Sequence, residues 1–151
     1  MKTREDCIYY RSGYKYQLAR PYTVEVPEMV GVPGAVTEYI SLVTGVLEIR
    51  SGYAWDGPSG PAIDTANFMR GSLVHDALYQ LLRARLLPSD CREPADRALQ
   101  RICREDQMTS VRAWWVYHGV RLGGGPSADP ARDKEILAAP RECPDPDASV
   151  F

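Results

Sequence analysis

The stretch Phe68-Met-Arg-Gly-Ser-Leu-Val-His75-Asp-Ala-Leu-Tyr79-Gln-Leu-Leu-Arg-Ala-Arg-Leu86 decides how the rest of the chain is read. Leu73, Val74, Leu78, Leu81, Leu82 and Leu86 recur at helical spacing, so the stretch reads as a helix that stops before Pro88. His75 and Tyr79 are four apart and share a face with Phe68, Ser72 and Leu82, a face expected to pack inward. Asp76 projects about 100° away from His75 around the same helix.

Working outward, a second helix begins near Pro94, a favoured first-turn residue, and runs through Ala95, Ala98, Leu99, Ile102 and Cys103 to about Asp106. A third is expected from Thr109, its N-cap, to Leu122, where Gly123-Gly-Gly ends it. Upstream, residues 57–67 place two prolines and two glycines between Gly57 and Pro61, which excludes a helix or a central strand. Asp64, Thr65 and Asn67 are each able to cap the helix that follows. Residues 7–56 read as strands. Cys7-Ile-Tyr-Tyr is β-prone, Tyr14 to Ala19 alternates roughly, and Tyr22-Thr-Val-Glu-Val alternates clearly between Pro21 and Pro27. Met29 to Ala35 reads as a loop. Tyr39 to Val43 and Val46 to Arg50 read as a hairpin around Thr44-Gly45. The expected fold is therefore α+β: a small N-terminal antiparallel sheet (7–56), a Gly/Pro loop (57–67), then a helical hairpin and a third helix (68–122). It forms a single domain over 1–123. Residues 124–151 hold five prolines and are expected to form a flexible tail.

Bulk composition fits that plan. The 151 residues are 44% hydrophobic and 25% charged, as in a soluble domain. A net charge of −2 supplies no basic field for nucleic acid or an anionic membrane. No apolar run approaches the ~20 residues of a transmembrane helix. Met1-Lys-Thr-Arg-Glu-Asp lacks the apolar core of a signal peptide. Cys7, Cys91, Cys103 and Cys143 form no Cys-x-x-Cys pair, which speaks against a zinc ribbon or thioredoxin-type site, and without an export signal reduced thiols are expected, with a disulfide-stapled fold as the alternative.

Chemistry concentrates on the first two helices. Asp96 lies on the second, in a stripe with Leu99 and Cys103. An antiparallel pair of helices would turn His75 and Asp96 toward each other. A carboxylate on one ring nitrogen fixes the tautomer and leaves the other nitrogen to take a proton. The Tyr79 hydroxyl would hold the same carboxylate. Asp76 with carbonyls of the Gly/Pro loop would make an oxygen-only site, which suits calcium better than zinc.

Plainer readings stand beside these. His75 is also a candidate core histidine satisfied by Asp96, or a zinc ligand with Asp96 and His118. Asp76 also reads as a solvated charge, Asp56 as a turn former, and the Gly/Pro loop as a tight crossover. Trp114, Trp115 and Tyr117 read as core, with an acyl-chain wall or a partner surface as alternatives. His118, on a face with Val111, Trp115 and Leu122, reads as structural. Arg83, Arg85, Arg92, Arg97, Arg101 and Arg104 read mostly as a solvated face, with contact to phosphate or a phage neighbour as the alternative.

The order Gly57-Pro58, Pro61, Asp64, Arg70, His75-Asp76-x-x-Tyr79 and Ala95-Asp96 resembles the secreted phospholipase A2 superfamily, in the short form found in parvovirus capsid proteins. That resemblance implies His75 as the general base on a water, Asp96 as its orienting carboxylate and Tyr79 as support. It also implies a calcium ion held by Asp76 and by the loop from about Trp55 to Gly60, with Trp55, Asp56, Gly57 and Gly60 as the loop's contributors. The family's Tyr-x-Gly-x-Gly loop reads Tyr53-Ala-Trp-Asp-Gly here, and Gly71-Ser72 stands where the family has paired cysteines. From about Tyr14 to Val120 the chain also resembles a phage and prophage family known as domain of unknown function 1353. Its Trp-Asp-Gly-x-Ser, His-Asp-x-x-Tyr and Ala-Asp segments are Trp55 to Ser59, His75 to Tyr79 and Ala95-Asp96. This implies a phage origin, and a place in the host cytoplasm or the virion.

Three functions follow as expectations. The first is a calcium-dependent hydrolase of phospholipid or another acyl ester. The second is a non-catalytic virion or tail-assembly protein that contacts other phage structural proteins. The third is a small effector that binds a host protein through its proline-rich tail.

Overall fold

Val46-Leu-Glu-Ile alternates inward and outward side chains, and in the computed structural model it is an inner strand of a four-stranded antiparallel sheet. The structure describes residues 7–57, 66–129, 135–140 and 143–144. Along them run β1 (Ile8–Tyr10), β2 (Tyr16–Gln17), β3 (Tyr22–Glu25), β4 (Ala35–Val36), β5 (Ile40–Val43), β6 (Val46–Ile49), β7 (Ala54–Trp55), α1 (Ala66–Arg83), α2 (Arg92–Glu105), α3 (Ser110–Gly123), α4 (Gly125–Ala128) and β8 (Leu137–Ala139). The architecture is α+β, with the strands first and the helices after them, apart from β8.

The chain divides into residues 14–132 and a second unit made of its end segments, 1–13 with 133–151. In the end unit, β1 and β8 pair antiparallel, with Ile8 opposite Ala139 and Tyr10 opposite Leu137. Cys7 and Cys143 form a disulfide there, and the Tyr9 hydroxyl donates to the Pro144 carbonyl. Two expectations are corrected here. Cys7 and Cys143 are not reduced thiols, and part of the expected tail, Leu137–Ala139, is a strand. Nothing local in Leu137-Ala-Ala announces a strand; its partner lies more than a hundred residues away.

In residues 14–132, the sheet order is β3-β6-β5-β4. Leu42 faces Leu47 and Ile40 faces Ile49 across the β5–β6 pair, and all four are buried. The expected hairpin is present. Its turn residues Thr44 and Gly45 have φ of 51° and 75°, the two positive values that a type I′ turn requires. β2 pairs with β7 apart from that sheet, so where one sheet is expected the described strands form three, the β1–β8 pair among them.

The helices form the other layer of this unit's core. Leu73, Val74, Ala77, Leu78 and Leu81 of α1 are buried in one cluster with Ala95, Ala98 and Ile102 of α2 and with the apolar side chains of β5 and β6. Each fully buried aliphatic side chain of this kind contributes about 1.5–3 kcal/mol. Gly71 lets α1 and α2 touch: a Cβ there would sit 2.8 Å from Cys103 Sγ and 3.0 Å from Leu99 Cδ1. Arg70 fastens the same helix elsewhere, donating to both Asp106 oxygens, to Glu105 and to the Tyr22 hydroxyl.

Thr109 caps α3 as expected, its side chain accepting from the Arg112 N–H. The inward stripe of α3 is Ala113, Val116 and Val120, packed with Phe68, Leu99, Cys103 and Met108. That stripe turns the next residues out. Trp114 is 48% exposed and Trp115 66%, so the expectation that they are core is corrected. Val111 and Leu122 are exposed on the same helix, while His118 is half-buried with its ring tilted against that of Trp114, centroids 4.1 Å apart. No helix among the described residues is long and apolar enough to cross a membrane.

Candidate functional site

Three helices converge on one carboxylate. Asp96, on the inner face of α2, has no exposed surface. From α1, His75 Nε2 lies 2.7 Å from Asp96 Oδ1, and the Tyr79 hydroxyl donates to the same oxygen at 2.6 Å. From α3, Arg121 Nη1 donates to Oδ2 at 2.9 Å. The one-turn spacing of His75 and Tyr79 delivers both to Oδ1, and their rings lie against each other tilted by 39°, with centroids 4.0 Å apart.

Energetics decide the charge state. Burial drives the Asp96 carboxyl up, but the hydrogen bonds from His75, Tyr79 and Arg121 more than offset this and hold it below the usual carboxylate range. A buried charge costs several kcal/mol, and each hydrogen bond to a charged group recovers about 1.5–3 kcal/mol, so three donors suffice. Asp96 is therefore ionised and can only accept. It follows that Nε2 of His75 carries a hydrogen, and in the neutral ring the lone pair is then on Nδ1. Among the described residues Nδ1 has no hydrogen-bond partner, and it is not sealed from water. The His75 side chain keeps 9% of its surface exposed. Burial first, and the bond to Asp96 second, push the Tyr79 hydroxyl upward, so it stays a protonated donor.

Arg92, the first residue of α2, closes the network. Its Nε donates to the Tyr79 hydroxyl at 3.2 Å, and its Nη2 donates to the carbonyls of Val120 and Arg121 at the end of α3. The Val120 carbonyl also accepts from the Gly124 N–H at 2.8 Å, so Arg92 adds a side-chain donor to the end of α3 while it steadies Tyr79.

The expected metal-side residues gather less closely. Asp76 leaves α1 half-buried, and it acts on Tyr53: burial first, then the Asp76 charge, raise that hydroxyl. Trp55 is buried in β7, with Nε1 donating to Ser72 Oγ at 3.3 Å and its carbonyl accepting from Lys15 N. Asp56 is exposed, and Gly57 takes a φ of 74° against the Tyr16 ring. Gly60, with Pro58, Ser59, Pro61, Asp64 and Thr65, lies outside the described residues. No three His, Cys, Asp or Glu side chains come together as a metal site among the described residues, so His118 does not join His75 and Asp96.

Comparison with known proteins finds no matching family model, no matching curated protein and no matching solved structure.

The sequence reading brought together His75, Tyr79 and Asp96 and missed both arginines. Arg121 was hidden because a cation in the last turn of a helix is ordinary there. Arg92 left a trace: a cation in the first turn opposes the helix dipole and so calls for a partner.

Proposed function

We propose that this chain is a phage-encoded acyl ester hydrolase of the phospholipase A2-like type, acting on phospholipid or a related ester. The observation that carries the reading is the His75–Asp96 pair, with Nε2 held by an ionised carboxylate and Nδ1 open to water. A water bound at Nδ1 would give up a proton to it as its oxygen attacks the ester carbonyl. His75 would then carry both protons, its new charge offset by Asp96 across the Nε2 bond, and would return one to the departing alkoxide. His75 is the catalytic residue in this scheme, while Asp96, Tyr79, Arg121 and Arg92 are positioning residues.

Calcium belongs to the proposal in a restricted way. The ion needs six to eight oxygens, and Asp76 supplies at most two. Trp55 already gives its carbonyl to Lys15. The described residues alone therefore do not make up a calcium site. Asp76 would hold the ion together with carbonyls of the Gly/Pro loop, and the scheme above routes no step through it.

The test is release of fatty acid from phosphatidylcholine vesicles with millimolar calcium, repeated with chelator. His75→Gln is expected to lower the rate by about 10²–10⁴-fold while the circular dichroism spectrum stays unchanged. Turnover absent from the unmodified protein, or equal in His75→Gln, would reject the hydrolase. Chelator-resistant turnover would remove calcium and leave the base in place.

The exposed Val111, Trp114, Trp115 and Leu122 on α3 favour a second reading, a non-catalytic virion or tail-assembly component that keeps the helices as scaffold. It predicts copurification with phage particles and normal plaques from His75→Gln phage.

A further inference from the structure

The end of α1 contains an arginine where the backbone favours glycine. Arg85 N donates to Leu82 O and Leu86 N to Leu81 O, both at 3.0 Å, the paired bonds of a helix C-cap with Arg85 in its left-handed position at φ 58°. Glycine is the usual residue there, because a side chain in that region carries a steric cost. Arg85 costs backbone stability, so any gain has to come from its side chain.

Arg85 is among the residues that line a cavity of about 560 Å³, within the roughly 300–1,000 Å³ of small-ligand sites. Leu82, Leu87 and Ala128 give the cavity apolar wall, and Arg92 faces it as a second cation. The Arg85 side chain has no hydrogen bond or ion pair among the described residues. Arg92 uses Nε and Nη2 within the fold, which leaves the two N–H groups of Nη1 without a partner among the described residues. A Cβ on Gly125, also in the wall, would lie 3.7 Å from that Nη1. Among the described residues Asp129 is the one carboxylate in the lining, against the two arginines.

We propose that this cavity binds the phosphoryl group of an amphiphile, with the guanidinium groups of Arg85 and Arg92 on the oxyanion and the alkyl chain on Leu82, Leu87 and Ala128. A single guanidinium fork saturates a carboxylate, whereas a phosphate monoester offers three oxygens to two forks. Apolar walls beside the cations select a chain-bearing ester over the free ion. Neither His75 nor Asp96 lines the cavity, and although Arg92 also braces Tyr79, Arg85 has no bond to that network, so a change at Arg85 tests this site apart from the hydrolase.

The test titrates octyl phosphate, kept below its aggregation limit, into the full chain by calorimetry. Arg85→Gly is the decisive variant, because glycine suits the backbone and its Tm is expected to be unchanged or higher. Saturable binding is expected in the unmodified chain and in His75→Gln, weakened about tenfold or more in Arg85→Gly. Inorganic phosphate is expected to bind more weakly than octyl phosphate. Vesicles containing phosphatidic acid separate the two sources of the group. Arg85-dependent sedimentation with them assigns a lipid headgroup, and Arg85-dependent binding of the monomer alone assigns a free ester. No saturable binding, equal binding by Arg85→Gly, or equal affinity for inorganic and octyl phosphate overturns the proposal.

Discussion

Asp96 is a buried anion whose donors come from both neighbouring helices, so its protonation is tied to the packing of all three. Its carboxyl is held down in the folded chain because hydrogen bonds outweigh burial. The contribution is fully present above the unfolded carboxylate value of about 3.9 and is lost as pH falls through the lower folded value. Arg121→Met removes the donor on Oδ2. We expect a loss of about 1.5–3 kcal/mol at pH 7 in urea unfolding, and an acid-unfolding midpoint shifted to higher pH. An unchanged midpoint would mean that Arg121 does not hold the carboxylate in solution. The site was half legible from residue types. A histidine, a tyrosine one turn on and an aspartate on the next helix are short side chains whose meeting follows from helix spacing. Arg121 and Arg92 reach their partners through long flexible chains, and no spacing rule fixes where such a chain ends.

The helices were the most legible elements, because each carries its own punctuation: Pro88 after α1, Thr109 before α3 and the glycine run after it. Their faces were harder to read. Trp114 and Trp115 are the bulkiest apolar residues of α3, yet the smaller Ala113, Val116 and Val120 hold the inward stripe. Size was taken for burial. Trp115→Ser is accordingly expected to change stability by no more than about 0.5 kcal/mol, whereas a core tryptophan would cost about 3–5 kcal/mol. Thermal and urea melts decide between them. The α1–α2 contact at Gly71 had no sequence signal beyond a glycine inside a helix. Gly71→Val places atoms against Cys103 and Leu99, and overpacking of this kind is expected to cost about 1–3 kcal/mol. A Gly71→Val protein as stable as the parent would mean that the helices separate freely there.

Across the molecule, pairing between distant segments was the least legible feature. The β5–β6 hairpin is local and was read from the residues around Thr44-Gly45. The β1–β8 ladder joins opposite ends of the chain and was not read at all, since strand propensity does not say which strand pairs with which. The cysteines report on this arrangement. Cys91 and Cys103 are buried free thiols, and burial first, then Asp106, push the Cys103 thiol up to about 12. Intact-mass alkylation at pH 8 is expected to add no label to the folded chain. It should add two labels in denaturant without reductant, and four once a reductant is present. Four labels without reductant would exclude the Cys7–Cys143 bond.

That bond makes a covalent ring of nearly the whole polypeptide, helices and sheet included. A protease that nicks the backbone once anywhere inside the ring leaves both fragments tethered, so they migrate together until a thiol releases them. Damage that would shed part of an open chain leaves this one assembled, with its halves still concentrated against each other.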